Sequence, residues 1–271
     1  MHLDAYYQFT QDLRCRLESD PRVLALVALG SMADVRRAPD AWSDHDFFVI
    51  TLPGVQEQLR QDVSWLPEAG RIALRVRETA HGLKVLYDDG HVLEFAIFDE
   101  QELFLARVND YRVLFERSGG VAQALARIQQ QSAARTVDLS RELGLFFFHL
   151  LLGAARCARG ETLSGHRFIK SHALETLLTL LVHSAQGVEG DMERLDNLDP
   201  FRRLEQVFPE LGARLNRLLL LEPTAAGAEM LALAESHLRG RMPAYPEQAA
   251  RITRERLVSL AQSVSSRNQT P

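Results

Sequence analysis

The stretch Val23-Leu24-Ala25-Leu26-Val27-Ala28-Leu29-Gly30-Ser31, followed about a dozen residues on by Ser43-Asp44-His45-Asp46-Phe47-Phe48-Val49-Ile50-Thr51, decides how this chain is read. Residues 23–29 form an unbroken apolar run between Pro21 and Gly30. Its length and flanks predict a strand buried on both faces. The Gly30-Ser31 pair at its end lets backbone N–H groups and a hydroxyl come close to a phosphate. Asp44 to Thr51 predicts a second strand, stopped by Pro53-Gly54. Strand side chains alternate, so Asp44 and Asp46 share one face and His45 takes the other. Two carboxylates on one face repel each other, and a divalent cation between them relieves the repulsion. Taken alone, an Asp-x-Asp strand start is more often a solvated edge or a cap.

Further along, Ile72 to Glu78 and Lys84 to Tyr87 read as strands. Asp88-Asp89-Gly90 is a hairpin signal, because such residues accept the positive φ of a tight turn. The return strand, His91 to Phe98, carries Glu94 inside an apolar run. A charge there is rarely buried without a partner. The hairpin lets this strand lie inside the sheet beside Asp44 and Asp46. Residues 4–18 and 55–66 read as helices. Asp99 is placed to cap a helix over 100–108, and a short strand over 112–116 ends at Ser118-Gly119-Gly120.

Beyond Gly120 helical patterns take over, at 121–134, 138–159, 166–184, 201–221, 224–239 and 246–264. Asp138 is a plausible N-cap and Gly160 a stop signal. The layout is an α+β N-terminal domain, a mixed sheet with flanking helices over residues 1–120, followed by an all-α helical bundle over 121–271.

Composition narrows the function classes. The 271 residues carry 31 basic and 36 acidic side chains, a net charge of -5. That balance makes nucleic acid an unfavourable partner. Cys15 and Cys157 make neither a disulfide framework nor a zinc site, and such scarcity fits a reducing cytoplasm. The most apolar stretch, Leu143 to Ala158, is short for a membrane span and is interrupted by His149 and Arg156. A cytoplasmic protein without a membrane partner is expected, and the oligomeric state, a homodimer included, is left open. Lys84 and Lys170 are the only lysines.

Gly-Ser, then Asp-x-Asp, then a third carboxylate in a later strand resembles the nucleotidyltransferases of the DNA polymerase β superfamily. The segment Gly30 to Asp46 is most similar to the antibiotic-modifying members, the streptomycin/spectinomycin adenylyltransferases and lincosamide nucleotidyltransferases. The motif match covers residues 28–98; beyond it the likeness is architectural. The loop Asp34-Val35-Arg36-Arg37 departs from many relatives, which carry a glycine there.

The resemblance implies Mg²⁺-dependent transfer of a nucleoside monophosphate, with ATP the expected donor, to a hydroxyl of a small molecule such as an aminoglycoside or lincosamide. Asp44, Asp46 and Glu94 would be catalytic and hold two magnesium ions, with Glu94 also the candidate base. Gly30, Ser31 and Ser43 would bind the nucleotide. Lys170, the only lysine of the helical half, would face the triphosphate, with Arg36, Arg37 and Arg167 as lesser candidates. The acceptor is expected between the domains, where Asp88, Asp89, Glu102 or Asp191 would suit a cationic substrate. The alternative keeps the chemistry and makes a protein or tRNA the acceptor, as in toxin–antitoxin systems. His45, facing away from the aspartates, is read as structural. His149, Cys157 and Phe146-Phe147-Phe148 are read as core.

Overall fold

A computed structural model describes residues 2–117, 119–133, 137–184, 192–196, 198–242 and 245–267. The chain divides into two compact units, Met1–Arg135 and Thr136–Pro271.

The first unit is built on a six-stranded sheet. Its strands are β1 (Val23–Leu29), β2 (His45–Thr51), β3 (Ile72–Arg77), β4 (Gly82–Tyr87), β5 (Val92–Asp99) and β6 (Tyr111–Glu116). The order across the sheet is β3-β4-β5-β2-β1-β6. β2 and β5 pair in parallel, and the other neighbours are antiparallel. Helix α1 (Leu3–Ser19) covers one face, packing Leu13 and Leu17 with Leu26, Phe47 and Leu93. Leu13 and Leu17 are fully buried, each contributing about 1.5–3 kcal/mol. The opposite face packs Ala25, Val27 and Ile50 with Leu125 and Ile128 of α3 (Val121–Ala133). Covering both faces is why β1 and β2 are apolar at consecutive positions. It also carries α3 into the first unit, so the division falls one helix later than residue 120.

Several elements differ from the sequence expectation for local reasons. Helix α2 spans only Gln56–Gln61 instead of 55–66. The Asp62 carboxylate accepts the Ser64 N–H at 2.9 Å and ends it in a side-chain turn. Asp99 does cap, accepting the N–H groups of Gln101 and Glu102 at 2.9 and 2.7 Å. The turn it opens, however, is a short 3-10 segment, Glu102–Leu105, rather than a helix to residue 108. Gly90 takes φ +86°, as the hairpin reading requires.

The second unit gathers its helices around α4 (Leu139–Ala158), whose N-terminus is capped by Asp138. A continuous helical stretch follows: α5 (Thr162–His166), a π-helical segment Arg167–Ala173, and α6 (Leu174–Ser184). The span expected at 201–221 is two helices, α7 (Leu204–Val207) and α8 (Pro209–Leu219). Pro209 cannot donate a helical hydrogen bond and forces the break. α9 (Pro223–Leu238) and α10 (Glu247–Arg267) complete the unit. Phe146 and Phe147 are core, but Phe148 is 63% exposed because one residue rotates the side chain off the buried face. Among the described residues no helix is long and apolar enough to cross a membrane.

Glycine sets the distance of α5 from α4. A Cβ on Gly165 would stand 2.1 Å from Cys157 Sγ and 3.0 Å from the Gly153 carbonyl oxygen. Gly165→Ala is therefore expected to destabilise the protein by about 1–3 kcal/mol through overpacking, despite alanine's better helix propensity. Denaturant melts of the two proteins measure this directly; equal or greater stability in the variant would show that the helices separate freely.

Candidate functional site

β1 ends at Leu29, and the chain turns at once through a 3-10 segment, Gly30–Ala33. Gly30 has φ +51°, in the left-handed region that favours glycine. A Cβ built on Gly30 would lie 3.1 Å from Oδ2 of Asp46. The turn and the Asp46 carboxylate are thus in contact, and absence of a side chain at position 30 allows it. Ser31 is the next residue of the same turn.

Asp46 is the second residue of β2 and pairs in register with Glu94 of β5. Glu94 pairs on its other side with Lys84 of β4. The Lys84 ammonium lies 2.9 Å from Glu94 Oε1 and 3.1 Å from Glu78 Oε1. These hydrogen bonds raise the Lys84 pKa above that of an ordinary lysine. Asp44 stands one residue ahead of β2, where its carbonyl oxygen accepts the Tyr6 hydroxyl at 2.9 Å. The Ser43 hydroxyl closes a local turn, accepting the Asp40 N–H at 2.9 Å and donating to Asp40 Oδ1 at 3.2 Å.

The sheet thus brings Gly30, Asp46 and Glu94 to adjacent positions, with Ser31 and Asp44 next to them along the chain. Among the described residues no three His, Cys, Asp or Glu side chains are grouped closely enough to hold a metal ion. Glu94 is engaged by Lys84 instead. Asp44 and Asp46 supply the hard oxygen donors that magnesium takes, and by that donor chemistry the pair fits a divalent cation.

Behind the aspartates lies a buried layer. His45 is wholly buried and stacks on Tyr6 with ring centroids 3.8 Å apart. Its Nε2 lies 3.2 Å from the Tyr6 carbonyl oxygen and 3.0 Å from Thr10 Oγ1, and its Nδ1 lies 2.7 Å from His91 Nε2. A carbonyl only accepts, so His45 Nε2 carries the hydrogen, Nδ1 accepts, and His91 Nε2 donates. Burial, reinforced for His45 by the neighbouring His91, pushes the pKa down, to about 3 for His45 and about 4 for His91. His45 is structural, as its strand position indicates. Burial also pushes the Tyr6 hydroxyl pKa up, with the charges of Asp46 and Asp44 adding to the effect.

Other candidates have partners of their own. Lys170, in the second unit, donates to the Leu219 carbonyl oxygen at 2.8 Å, closing the C-terminal end of α8. Arg36 pairs with Asp110 and Arg37 with Asp40, each at 2.6 Å. Asp88 and Asp89 both pair with Arg71, and Glu102 with Arg60. Asp191 lies outside the described residues. His149 meets Thr176 at 3.4 Å, and Cys157 is buried, with its thiol pKa pushed up by that burial.

Sequence reasoning missed two contacts. Tyr6 lies far from the motif in the chain and gives no local signal. Lys84 was findable: counting outward from the Asp88-Asp89-Gly90 turn, Leu86 pairs with Val92 and Lys84 with Glu94. A cleft of about 300 Å³, lined by Tyr7, Thr10 and Arg14 of α1, by Asp34, and by Arg112 and Leu114 of β6, lies in the same unit. The Arg112 guanidinium donates to the Met32 carbonyl oxygen of the turn at 3.3 Å.

No protein-family profile matches the chain, and no curated protein matches it. Solved structures similar to it include an aminoglycoside 6-adenyltransferase from Bacillus subtilis, at 13% identity and TM-score 0.31, over 91% of this chain and 96% of that one. A nucleotidyltransferase-like protein from Exiguobacterium sibiricum 255-15 matches at 15% identity and TM-score 0.32, over 96% and 91%. The CD-NTase CdnG of Bradyrhizobium diazoefficiens, solved with GTP, matches at 16% identity and TM-score 0.28, over 97% and 93%. At such scores these likenesses carry no argument, and the functional reading rests on the chain's own residues.

The histidine layer makes stability depend on pH. In the unfolded chain both rings titrate near 6.5, whereas folded they stay neutral to lower pH. The unfolded state therefore binds more protons below pH 6.5. Stability is fully present above that value and falls toward the folded pKa values, by up to about 1.4 kcal/mol per pH unit for each ring. The melting temperature is expected to be level above pH 7 and to drop between pH 6.5 and 5, above the range of most carboxylates. A level melting temperature through that interval would contradict the neutral pair.

Proposed function

We propose that this chain is a metal-dependent nucleotidyltransferase that moves a nucleoside monophosphate, with ATP as donor, to a hydroxyl of a small-molecule acceptor. One observation carries the reading: the left-handed Gly30 turn comes so close to the Asp46 carboxylate that a Cβ there would stand 3.1 Å from Oδ2, with Glu94 in register beside it. A phosphate-approaching turn and a carboxylate strand that touch are what transfer at a phosphorus atom requires, since such transfer is mainly positioning and charge neutralisation.

In this reading the backbone of Gly30 and the Ser31 hydroxyl bind the β- and γ-phosphates, and Ser43 supports the nucleotide from the loop. Asp44 and Asp46 would hold magnesium, which when bound neutralises the triphosphate and polarises the α-phosphorus. The acceptor oxygen forms a bond to the α-phosphorus, the bond to the bridging oxygen of the β-phosphate breaks, and pyrophosphate leaves. Glu94 takes the hydroxyl proton. With Lys84 on its Oε1, Oε2 is the atom that receives it.

Calorimetric titration of ATP, GTP, CTP and UTP with Mg²⁺ tests the reading. Metal-dependent binding of ATP is expected in the wild type and its loss in Asp46→Ala. Glu94→Gln is expected to keep nucleotide binding and to lose about 10²–10⁴-fold in rate, measured as pyrophosphate release. Binding of no nucleotide, with or without hydroxylated acceptors present, would sink the assignment.

Lys170 is proposed as a nucleotide-binding residue, and Lys170→Ala separates that role from its cap on α8. A weaker ATP dissociation constant is expected. An unchanged constant, with only a lower melting temperature, would assign Lys170 to the cap alone.

A further inference from the structure

Tyr6 is 2% exposed, yet its hydroxyl is not spent on the core. It donates to the carbonyl oxygen of Asp44 at 2.9 Å. Asp44 opens the carboxylate strand, so an atom on α1 holds the backbone at the start of that strand. The ring beneath is held in turn by its stack on His45, between the two aspartates in sequence.

We propose that Tyr6 is a positioning residue that sets the Asp44 backbone where its carboxylate can serve the site. This inference rests on the functional reading above. The physical reason lies in where Asp44 stands. It precedes the first residue of β2, outside the ladders that β2 makes with β1 and β5. The Tyr6 hydroxyl binds its carbonyl oxygen from a fixed point, because α1 is anchored in the core by Leu13 and Leu17. In this proposal Tyr6 acts through Asp44.

The structure holds its own control. Tyr87 is also 2% exposed, and its hydroxyl donates to a carbonyl oxygen, that of Pro67, at 2.7 Å. Tyr6→Phe and Tyr87→Phe thus each remove one buried hydroxyl-to-carbonyl bond while keeping the ring. The full chain, its Tyr6→Phe and Tyr87→Phe variants and Asp46→Ala are titrated with Mn²⁺ alone, read by electron paramagnetic resonance, and melting temperatures are recorded alongside. Tyr6→Phe is expected to weaken Mn²⁺ binding by about 10–100-fold, the range found when an outer partner of a metal ligand is lost. Its kcat is expected to fall with it. Tyr87→Phe is expected to lower the melting temperature by a similar amount and to leave Mn²⁺ affinity unchanged.

Equal Mn²⁺ affinity in Tyr6→Phe and wild type, with binding still lost in Asp46→Ala, would overturn the role of Tyr6 and leave the carboxylate site standing. The same loss in both tyrosine variants would mean that any buried bond matters equally, and would also overturn it. No Mn²⁺ binding by the wild type would overturn the site reading and this inference with it.

Discussion

Because β5 runs parallel to β2 in a sheet whose other neighbours are antiparallel, no tight turn can join them, and α2, β3 and β4 fill the crossover between. What holds the register of that one parallel ladder also holds the candidate site. Next to the Asp46–Glu94 pair comes Phe47 opposite Phe95, with rings stacked 4.9 Å apart and 3° from parallel. Both phenylalanines belong to the core under α1. A slip of one residue would exchange faces, burying a carboxylate where a phenylalanine belongs. An unpaired buried charge costs several kcal/mol, more than the aromatic pair contributes by its stacking, about 0.5–1.5 kcal/mol. The apolar pattern of the strand therefore places the polar residues, and the site is a by-product of the core's own register.

That dependence explains what was legible in the sequence. The run 23–29 reads as a buried strand because its flanks and length say so, and β1 spans those same residues. Asp88-Asp89-Gly90 reads as a turn because of its φ requirement. The alternation around His45 puts the histidine under the sheet and the aspartates on the other face, and the buried His45 agrees. Each of these is a local rule with a period or a turn type behind it. The parallel ladder and the partner of the Asp44 carbonyl are not local. No spacing in the sequence connects Tyr6 to Asp44, since the link is made by a helix folding back over the sheet.

Helix lengths depart from the apolar periodicity for a related reason. Hydrophobic periodicity runs through positions where one side chain or one imide nitrogen breaks the backbone. The Asp62 carboxylate binds the Ser64 N–H and stops α2; Pro209 splits the span that periodicity would make continuous. The position of the division is a packing matter. α3 has a helix's pattern whichever unit it joins, and its place in one apolar cluster with Val27 and Ile50 assigns it. Periodicity reports the element, while its allegiance is settled by which apolar face remains uncovered.

The electrostatics on the two sides of β2 are opposed, and the opposition has a consequence for cation binding. The His45–His91 pair is kept neutral by burial and by a shared hydrogen whose geometry leaves no room for a second proton between the rings. An imidazolium at position 45 would place a positive charge within one residue of both Asp44 and Asp46 and would compete with any cation for them. Keeping the layer neutral removes that competitor down to well below pH 6.5. On the other side, Lys84 is held by Glu94 and Glu78. The third carboxylate thus has a fixed charge partner, while the buried ring behind the first two stays neutral.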